Sequence, residues 1–204
     1  HPVEGLSDDQ RGDRFSVGTG DGQGRERRVA HRRDRPRPGR KGNVSGGLCW
    51  CARDGSHLYG TWKVRAKFDT GAGYGQLIGL WPASNDPADG SITLAAAREA
   101  DKRIARGFVI WRTDRQLSDE RVIAGDFTGW HTYTLQWRPG TLRMWVDDLV
   151  LYDSTLRGSD VVLPTKPMNL FIQQAIGPWE DVPAANASTP DEVALHVDWV
   201  HYWA

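Results

Sequence analysis

The chain has 204 residues, a length that suits one domain and that β-sandwiches commonly reach as a single unit. Its 26 Lys and Arg residues balance 26 Asp and Glu residues, so no net charge attracts a nucleic acid or a membrane surface, and neither is expected as a partner. No stretch is long and apolar enough to cross a bilayer, and no signal peptide is visible.

Residues 1–44 form an N-terminal segment that is poor in apolar residues and that we expect to be partly irregular. Within it, "RERRVAHRRDRPRPGRK" (25–41) carries nine Lys and Arg residues and two acids. Such a run could bind phosphate groups, but no aromatic residue is interleaved with the charges, so a solvated loop is the favoured interpretation. A local reading-frame error in the gene is a third possibility.

The two cysteines, Cys49 and Cys51, lie in "GGLCWCAR". Two residues apart on a strand, they would share a face with Cα atoms about 6.5–7 Å apart, near the upper limit for a disulfide. We therefore expect free thiols, which favour a reducing compartment and a cytoplasmic location; secretion is the alternative if a leader was removed before His1. A Cys-x-Cys half-site lacks a second pair of ligands, so no metal and no cofactor are expected.

From residue 45 to residue 204 the sequence predicts one domain of short strands separated by Gly, Pro and Asp. The segment "YGTWKVRAKFD" (59–69) alternates, with Trp62, Val64, Ala66 and Phe68 on one face. The predicted strands lie within residues 59–69, 75–82, 91–97, 107–111, 130–154 (three strands, with turns at Pro139-Gly140 and Asp147-Asp148), 168–177 and 193–203. Such spacing without a convincing helix predicts an all-β antiparallel sandwich or jelly roll.

Four segments of this domain resemble glycoside hydrolase family 16 in their order and spacing: "YGTWKVRAKFDTGAGYGQLIGLWP", "DFTGWHTYTLQWRPGTLRMWVDD", "PMNLFIQQAIG" and "VDWVHYW". The family comprises retaining endo-glucanases and their relatives, built on a concanavalin A-like β-jelly roll. The resemblance covers about residues 45–203. It implies a sandwich of two curved antiparallel sheets, with a substrate groove along the concave face.

In that family the strand after "LWP" carries Glu-x-Asp-x-x-Glu or Glu-x-Asp-x-Glu. The first glutamate is the nucleophile, the last is the acid and then the base, and the aspartate orients them; a bulge brings the sixth position to the same face. The resemblance places Ser91 at the nucleophile position, Thr93 at the aspartate position, and Ala96 (Ala95 without the bulge) at the acid/base position. Without these carboxylates we expect no double displacement and assign no catalytic residue.

Few residues near this strand could take over the role of the missing carboxylates. Asp89 and Glu99 would need a change of strand register to face the groove, so we interpret them as a turn residue and a solvated loop charge. Ser91 as a nucleophile would need a base such as His57 or His131, and nothing in the sequence places either beside it.

The other groove candidates are polar or aromatic residues on the neighbouring strands. The strand "RGFVIWR" is apolar in the middle, whereas related sequences often carry His or Asn there for sugar hydroxyls. The candidate contacts are Trp81, Phe108, Ile110, Trp111, Gln173, Gln174 and Trp179. Trp62, Trp145 and Trp199 are expected in the core instead.

Three functions are compatible with these features. The first is a groove repurposed to bind, and to cyclise or rearrange, a small and fairly apolar substrate, for example by cycloaddition. The second is a non-catalytic carbohydrate-binding protein for β-glucan, and the third is an active endo-glycosidase with displaced carboxylates. The small and apolar residues of the central strands favour the first. The expected partner is a small molecule or a glycan in the concave groove; the oligomeric state is not predicted.

Overall fold

The computed structural model describes residues 27–32, 45–51, 55–112, 117–158 and 160–204. These residues form thirteen strands and two short 3₁₀ helices, Pro87–Asp89 and Ser154–Leu156. The strands are β1 (Arg27–Arg32), β2 (Gly46–Cys49), β3 (Ser56–His57), β4 (Gly60–Phe68), β5 (Tyr74–Pro82), β6 (Ser91–Ala97), β7 (Ile104–Arg112), β8 (Leu117–Ala124), β9 (His131–Arg138), β10 (Thr141–Val146), β11 (Leu149–Asp153), β12 (Met168–Ile176) and β13 (Glu192–Trp203).

The strands form two antiparallel sheets that pack face to face. The six-stranded sheet has the order β1-β13-β4-β9-β10-β11. The seven-stranded sheet has the order β2-β12-β5-β6-β7-β8, with β3 also paired to β12. The prediction of an all-β, concanavalin A-like jelly-roll sandwich is confirmed.

The main core lies between the two sheets and follows the alternation of the sequence. Trp62, Val64, Ala66 and Phe68 of β4 are fully buried, as predicted, because alternate residues of a strand share one face. Partners from the seven-stranded sheet include Ile78, Leu80, Ile92, Leu94 and Ala95. The core therefore uses one face of each sheet and leaves the opposite faces for other contacts.

The three strands predicted within residues 130–154 are confirmed as β9, β10 and β11. Pro139 and Gly140 connect the first two, and Asp147 and Asp148 connect the second two. Gly140 and Asp147 have positive φ angles of 72° and 51°, which Gly, Asn and Asp tolerate best in tight hairpins.

The expectation of two free thiols is wrong in this structure, which joins Cys49 and Cys51 in a disulfide. Strand β2 ends at Cys49, so the chain is no longer extended between the two residues, and their Cα atoms lie 5.2 Å apart. This separation is within the usual range for a disulfide. The free-cysteine argument for a cytoplasmic location therefore loses its premise.

Part of the basic run also departs from the loop interpretation. Arg27–Arg32 forms β1, which pairs with β13 at the edge of the six-stranded sheet. The rest of residues 1–44 lies outside the described residues. No helix that could cross a membrane is found in the part of the chain that the structure describes.

Candidate ligand groove on the seven-stranded sheet

Strand β6 lies near the middle of the seven-stranded sheet, between β5 and β7, and contains a bulge. Thr93 pairs with Phe108, but the next pair on this side is Ala96 with Arg106, so the register shifts between them. Leu94 and Ala95 both pack in the main core, whereas Ala96 packs in a second cluster on the opposite face. The bulge thus brings Ser91, Thr93 and Ala96 to one face, which we call the groove face.

The centre of the groove face is apolar and largely filled by side chains of the protein itself. Leu77, Ala96 and Phe108 are buried there. Partly buried Ile110, Phe171, Ala175 and Trp179 pack against them. Ser91 is 8% exposed and Thr93 is 3% exposed. The three positions that the resemblance assigns to carboxylates therefore offer two hydroxyls and a methyl group, with little contact to water.

A glycine permits this close packing. A Cβ atom on Gly79 would lie 2.8 Å from ring atoms of Phe171 and 2.5 Å from the carbonyl oxygen of Ile92. Residue 79 pairs with Thr93 on one side and with Phe171 on the other. The Phe171 ring can therefore lie across the floor of the groove only because residue 79 has no side chain.

Several of the groove residues predicted from the sequence do lie on this face. Phe108, Ile110 and Trp179 belong to the second cluster. Gln173 is exposed, and it alternates with Ile172 of the main core. Trp81 is half-buried and follows the core residue Leu80; its indole N–H donates to Asn85 Oδ1 at 2.9 Å. Aromatic surface is thus present on both sides of the floor.

Two predicted groove residues are placed elsewhere. Gln174 is fully buried; its amide donates to the carbonyl oxygen of Val193 at 2.8 Å and accepts from Gln76 at 3.2 Å. Trp111 packs against the main core rather than against the second cluster. Adjacent strand residues face opposite sides of a sheet, so Gln173 and Gln174 cannot both line one groove.

Of the three tryptophans expected in the core, the structure places one there and two on an outer face. Trp62 is fully buried between the sheets, as expected. Trp145 and Trp199 are half-buried on the outer face of the six-stranded sheet, because Met144 and Val146 beside Trp145, and Val200 beside Trp199, occupy the core-facing positions. Those two predictions are wrong, and the alternation of their strands could have corrected them.

Sequence reasoning missed an arginine at the end of the groove face. Arg98 directly follows β6 and is 6% exposed. Its guanidinium lies 5.4 Å from the Phe108 ring centre and 5.5 Å from that of Trp179. The guanidinium donates to Asp181 Oδ2 at 3.3 Å and lies 3.5 Å from Glu120 Oε2. Glu180 forms a closer ion pair with it. These contacts hold the Trp179–Asp181 segment against the end of the groove.

Glu99 is not a solvated charge but an ion-pair partner of Arg106. Burial raises the pKa of Glu99, but the hydrogen bond and charge of Arg106, together with backbone hydrogen bonds, outweigh burial, and the net pKa lies below its usual 4.5. A retaining hydrolase instead needs an acid whose pKa is raised. Glu99 is therefore poorly suited to replace the missing acid/base.

The other residues considered as replacements for the missing catalytic groups make contacts that do not involve Ser91. Asp89 ends the 3₁₀ helix Pro87–Asp89 and accepts a hydrogen bond from Ser84 Oγ at 2.7 Å, as a turn residue would. His57 stacks on Tyr202, with ring centres 3.8 Å apart. His131 lies on the six-stranded sheet, with its ring nitrogens 2.7 Å from Asp147 and 2.8 Å from the Asp126 carbonyl. Neither imidazole is arranged as a base for Ser91.

Comparison with known proteins agrees with the architecture. Residues 108–201, slightly under half of the chain, match the model of the glycosyl hydrolases family 16. The resemblance inferred from the sequence is confirmed by this match and by the structural likenesses. No curated protein matches the chain in sequence.

Three solved structures illustrate the likeness. The laminarinase catalytic domain from Thermotoga maritima MSB8 has 15% identity and a TM-score of 0.74, over 87% of this chain and 77% of that one. A LamA structure from Zobellia galactanivorans, in complex with laminaritriose and laminaritetraose, has 19% identity and a TM-score of 0.67, over 88% and 77%. The endo-1,3-beta-glucanase domain from Thermotoga petrophila RKU-1 has 16% identity and a TM-score of 0.63, over 73% of this chain but only 65% of that one. At these identities the likeness establishes the fold alone.

Proposed function

We propose that this chain, a relative of the family 16 glycoside hydrolases, binds a glycan on its groove face without hydrolysing it. One observation carries the proposal: partly exposed aromatic side chains flank the floor that contains Ser91, Thr93 and Ala96, the residues that the sequence resemblance aligns with the family's carboxylates. Aromatic faces stack on the apolar faces of sugar rings, and Gln173 adds an exposed amide for a hydroxyl.

The absence of hydrolysis follows from the chemistry of the floor. Retaining hydrolysis needs two carboxyl groups about 5–5.5 Å apart, one as nucleophile and one as acid/base. A methyl group at Ala96 cannot donate a proton, and the hydroxyl of Ser91 has no base arranged to activate it. The nearby carboxylates of Glu180 and Asp181 both form ion pairs with Arg98.

Trp81→Ala tests the binding proposal. We expect wild-type protein to bind laminaritetraose in isothermal titration calorimetry, and the variant to bind it about tenfold more weakly because a stacking surface is lost. Trp130→Ala is the matched control, since Trp130 lies under Lys67 beside the other sheet. A reducing-sugar assay on laminarin should show no release by the wild-type protein.

Either of two results would contradict the proposal. Laminarin cleavage by the purified wild-type protein would favour the endo-glycosidase with displaced carboxylates. Equal affinities for the Trp81 and Trp130 variants would remove the groove face as the binding site.

The second candidate is binding and cyclisation of a small apolar substrate, and the buried floor of Leu77, Ala96 and Phe108 favours it. Such a reaction would depend on shape and orientation rather than on a carboxylate pair. Competition between a hydrophobic fluorescent dye and laminaritetraose separates the candidates. Dye displaced by the sugar indicates a shared glycan site, whereas dye binding without any sugar binding favours the apolar substrate.

A further inference from the structure

The outer face of the six-stranded sheet holds an open depression of about 580 Å³, on the opposite side of the molecule from the groove face. Ligand sites commonly have volumes of about 300–1,000 Å³, so this depression is large enough for several sugar rings. Trp145 of β10 and Trp203 of β13 line it, and Trp203 is 47% exposed.

The strand register shows how the depression is built. Trp203 pairs with Thr61, which pairs with Gln136, and these three form one row across β13, β4 and β9. Lys63 pairs with Thr134, which pairs with Trp145, in the next row. The two tryptophans thus flank a floor of hydroxyl and amide groups, on strands that lie three strand spacings, or about 14 Å, apart.

The charges at the depression do not select a charged ligand. Lys63 lies 5.9 Å from the centre of the Trp203 ring, and Asp148 lies opposite on the rim. Asp147 also lines the depression, but its carboxylate accepts from the Thr132 N–H at 2.8 Å and contacts His131 at 2.7 Å. Both signs are therefore present, and one carboxylate is already satisfied within the protein.

A neutral oligosaccharide matches this combination. Each sugar ring offers an apolar face for tryptophan and hydroxyls that both donate to a carboxylate and accept from a lysine or an amide. A protein partner fits less well, because the centre of a protein interface is usually depleted of charged residues, whereas Lys63, Asp147 and Asp148 line this depression.

We propose that the outer face of the six-stranded sheet is a second glycan-binding site, which takes a neutral oligosaccharide between Trp145 and Trp203. The site does not depend on the groove face, because its residues come from β4, β9, β10 and β13 and the groove residues come from the other sheet. A chain with two such faces could hold two glycan strands at once.

The test compares two tryptophans on the same face of β13. Trp203 lines the depression, whereas Trp199, four residues earlier on the same strand, is not among the lining residues and contacts His201, with ring centres 4.7 Å apart. Calorimetric titration with laminaritetraose, cellotetraose, xylotetraose and mannotetraose should show binding of at least one to the wild-type protein. We expect Trp203→Ala to weaken the outer-face binding at least about tenfold and Trp199→Ala to change it less than about twofold.

A double variant separates this site from the groove. In Trp81→Ala protein, residual sugar binding that is abolished by adding Trp203→Ala supports the outer-face site. If Trp81→Ala alone abolishes all binding, or if Trp203→Ala and Trp199→Ala bind alike, the outer-face site is overturned while the groove proposal stands. If the wild-type protein binds none of the four sugars, both proposals fail. Far-ultraviolet circular dichroism of each variant excludes unfolding as the cause.

Discussion

At the scale of single residues, Lys102 is the least expected feature of the molecule. It lies in the turn between β6 and β7 with a positive φ of 54°, and its side chain is fully buried. Its ammonium group donates to the carbonyl oxygen of Tyr74 at 2.8 Å and lies 3.4 Å from that of Ala97. Burial lowers the pKa of Lys102 from 10.5 to about 8, because an ammonium loses its hydration there.

This pKa predicts that the protein becomes more stable as the pH rises from 8 towards 10.5. In that window the unfolded chain binds a proton that the folded chain does not, so the free energy of unfolding increases with pH. The expected gain between pH 7.5 and pH 9.5 is about 2 kcal/mol. Lys102→Met has no titrating group at this position and should lack the gain; urea denaturation of both proteins at the two pH values measures the difference.

Because every other titrating group is common to both proteins, the comparison isolates Lys102. Parallel pH dependences for wild type and variant would show that the lysine is hydrated in the folded state. The sequence could not predict this residue, since lysine is almost never fully buried and "ADKR" has the composition of an exposed turn.

At the scale of elements, β6 shows which features the sequence could predict. All seven of its residues are buried, as the apolar run "SITLAAA" indicated for a central strand. The bulge carries no mark in those residues, and only the family resemblance suggested it. Strand β8 was not predicted, because "LSDERVIA" mixes charges with apolar residues at an edge that has one neighbouring strand in the described chain.

Two single substitutions on β6 should differ sharply in their cost. Ala96→Glu places a larger, charged group beside buried Leu77 and Phe108, and we expect it to lower the free energy of unfolding by about 3 kcal/mol or more. Ser91→Glu lies at the start of the strand and keeps some contact with water, so about 1–2 kcal/mol is expected. Chemical denaturation measures both losses. An Ala96→Glu protein as stable as wild type would show that the groove floor is open.

At the scale of the whole molecule, the fold class was predictable and the long-range partners were not. Alternation defines which residues share a face, but not which face meets the core when both are apolar or both are polar. Gln173 and Gln174 illustrate the limit: Gln174 is the buried one because Gln76 of the adjacent strand and the Val193 carbonyl of the other sheet satisfy its amide. Arg98 likewise meets Asp181, a residue 83 positions away in the chain.

The order of strands also leaves β11 as the outermost strand of the six-stranded sheet, with no further strand beside it among the described residues. Its first residues, Leu149 and Val150, are 62% and 55% exposed. An unpaired strand edge with apolar side chains can add a strand from another molecule, and a lysine there opposes such growth. We expect Val150→Lys to reduce light scattering during prolonged concentration; unchanged scattering would place the start of aggregation elsewhere.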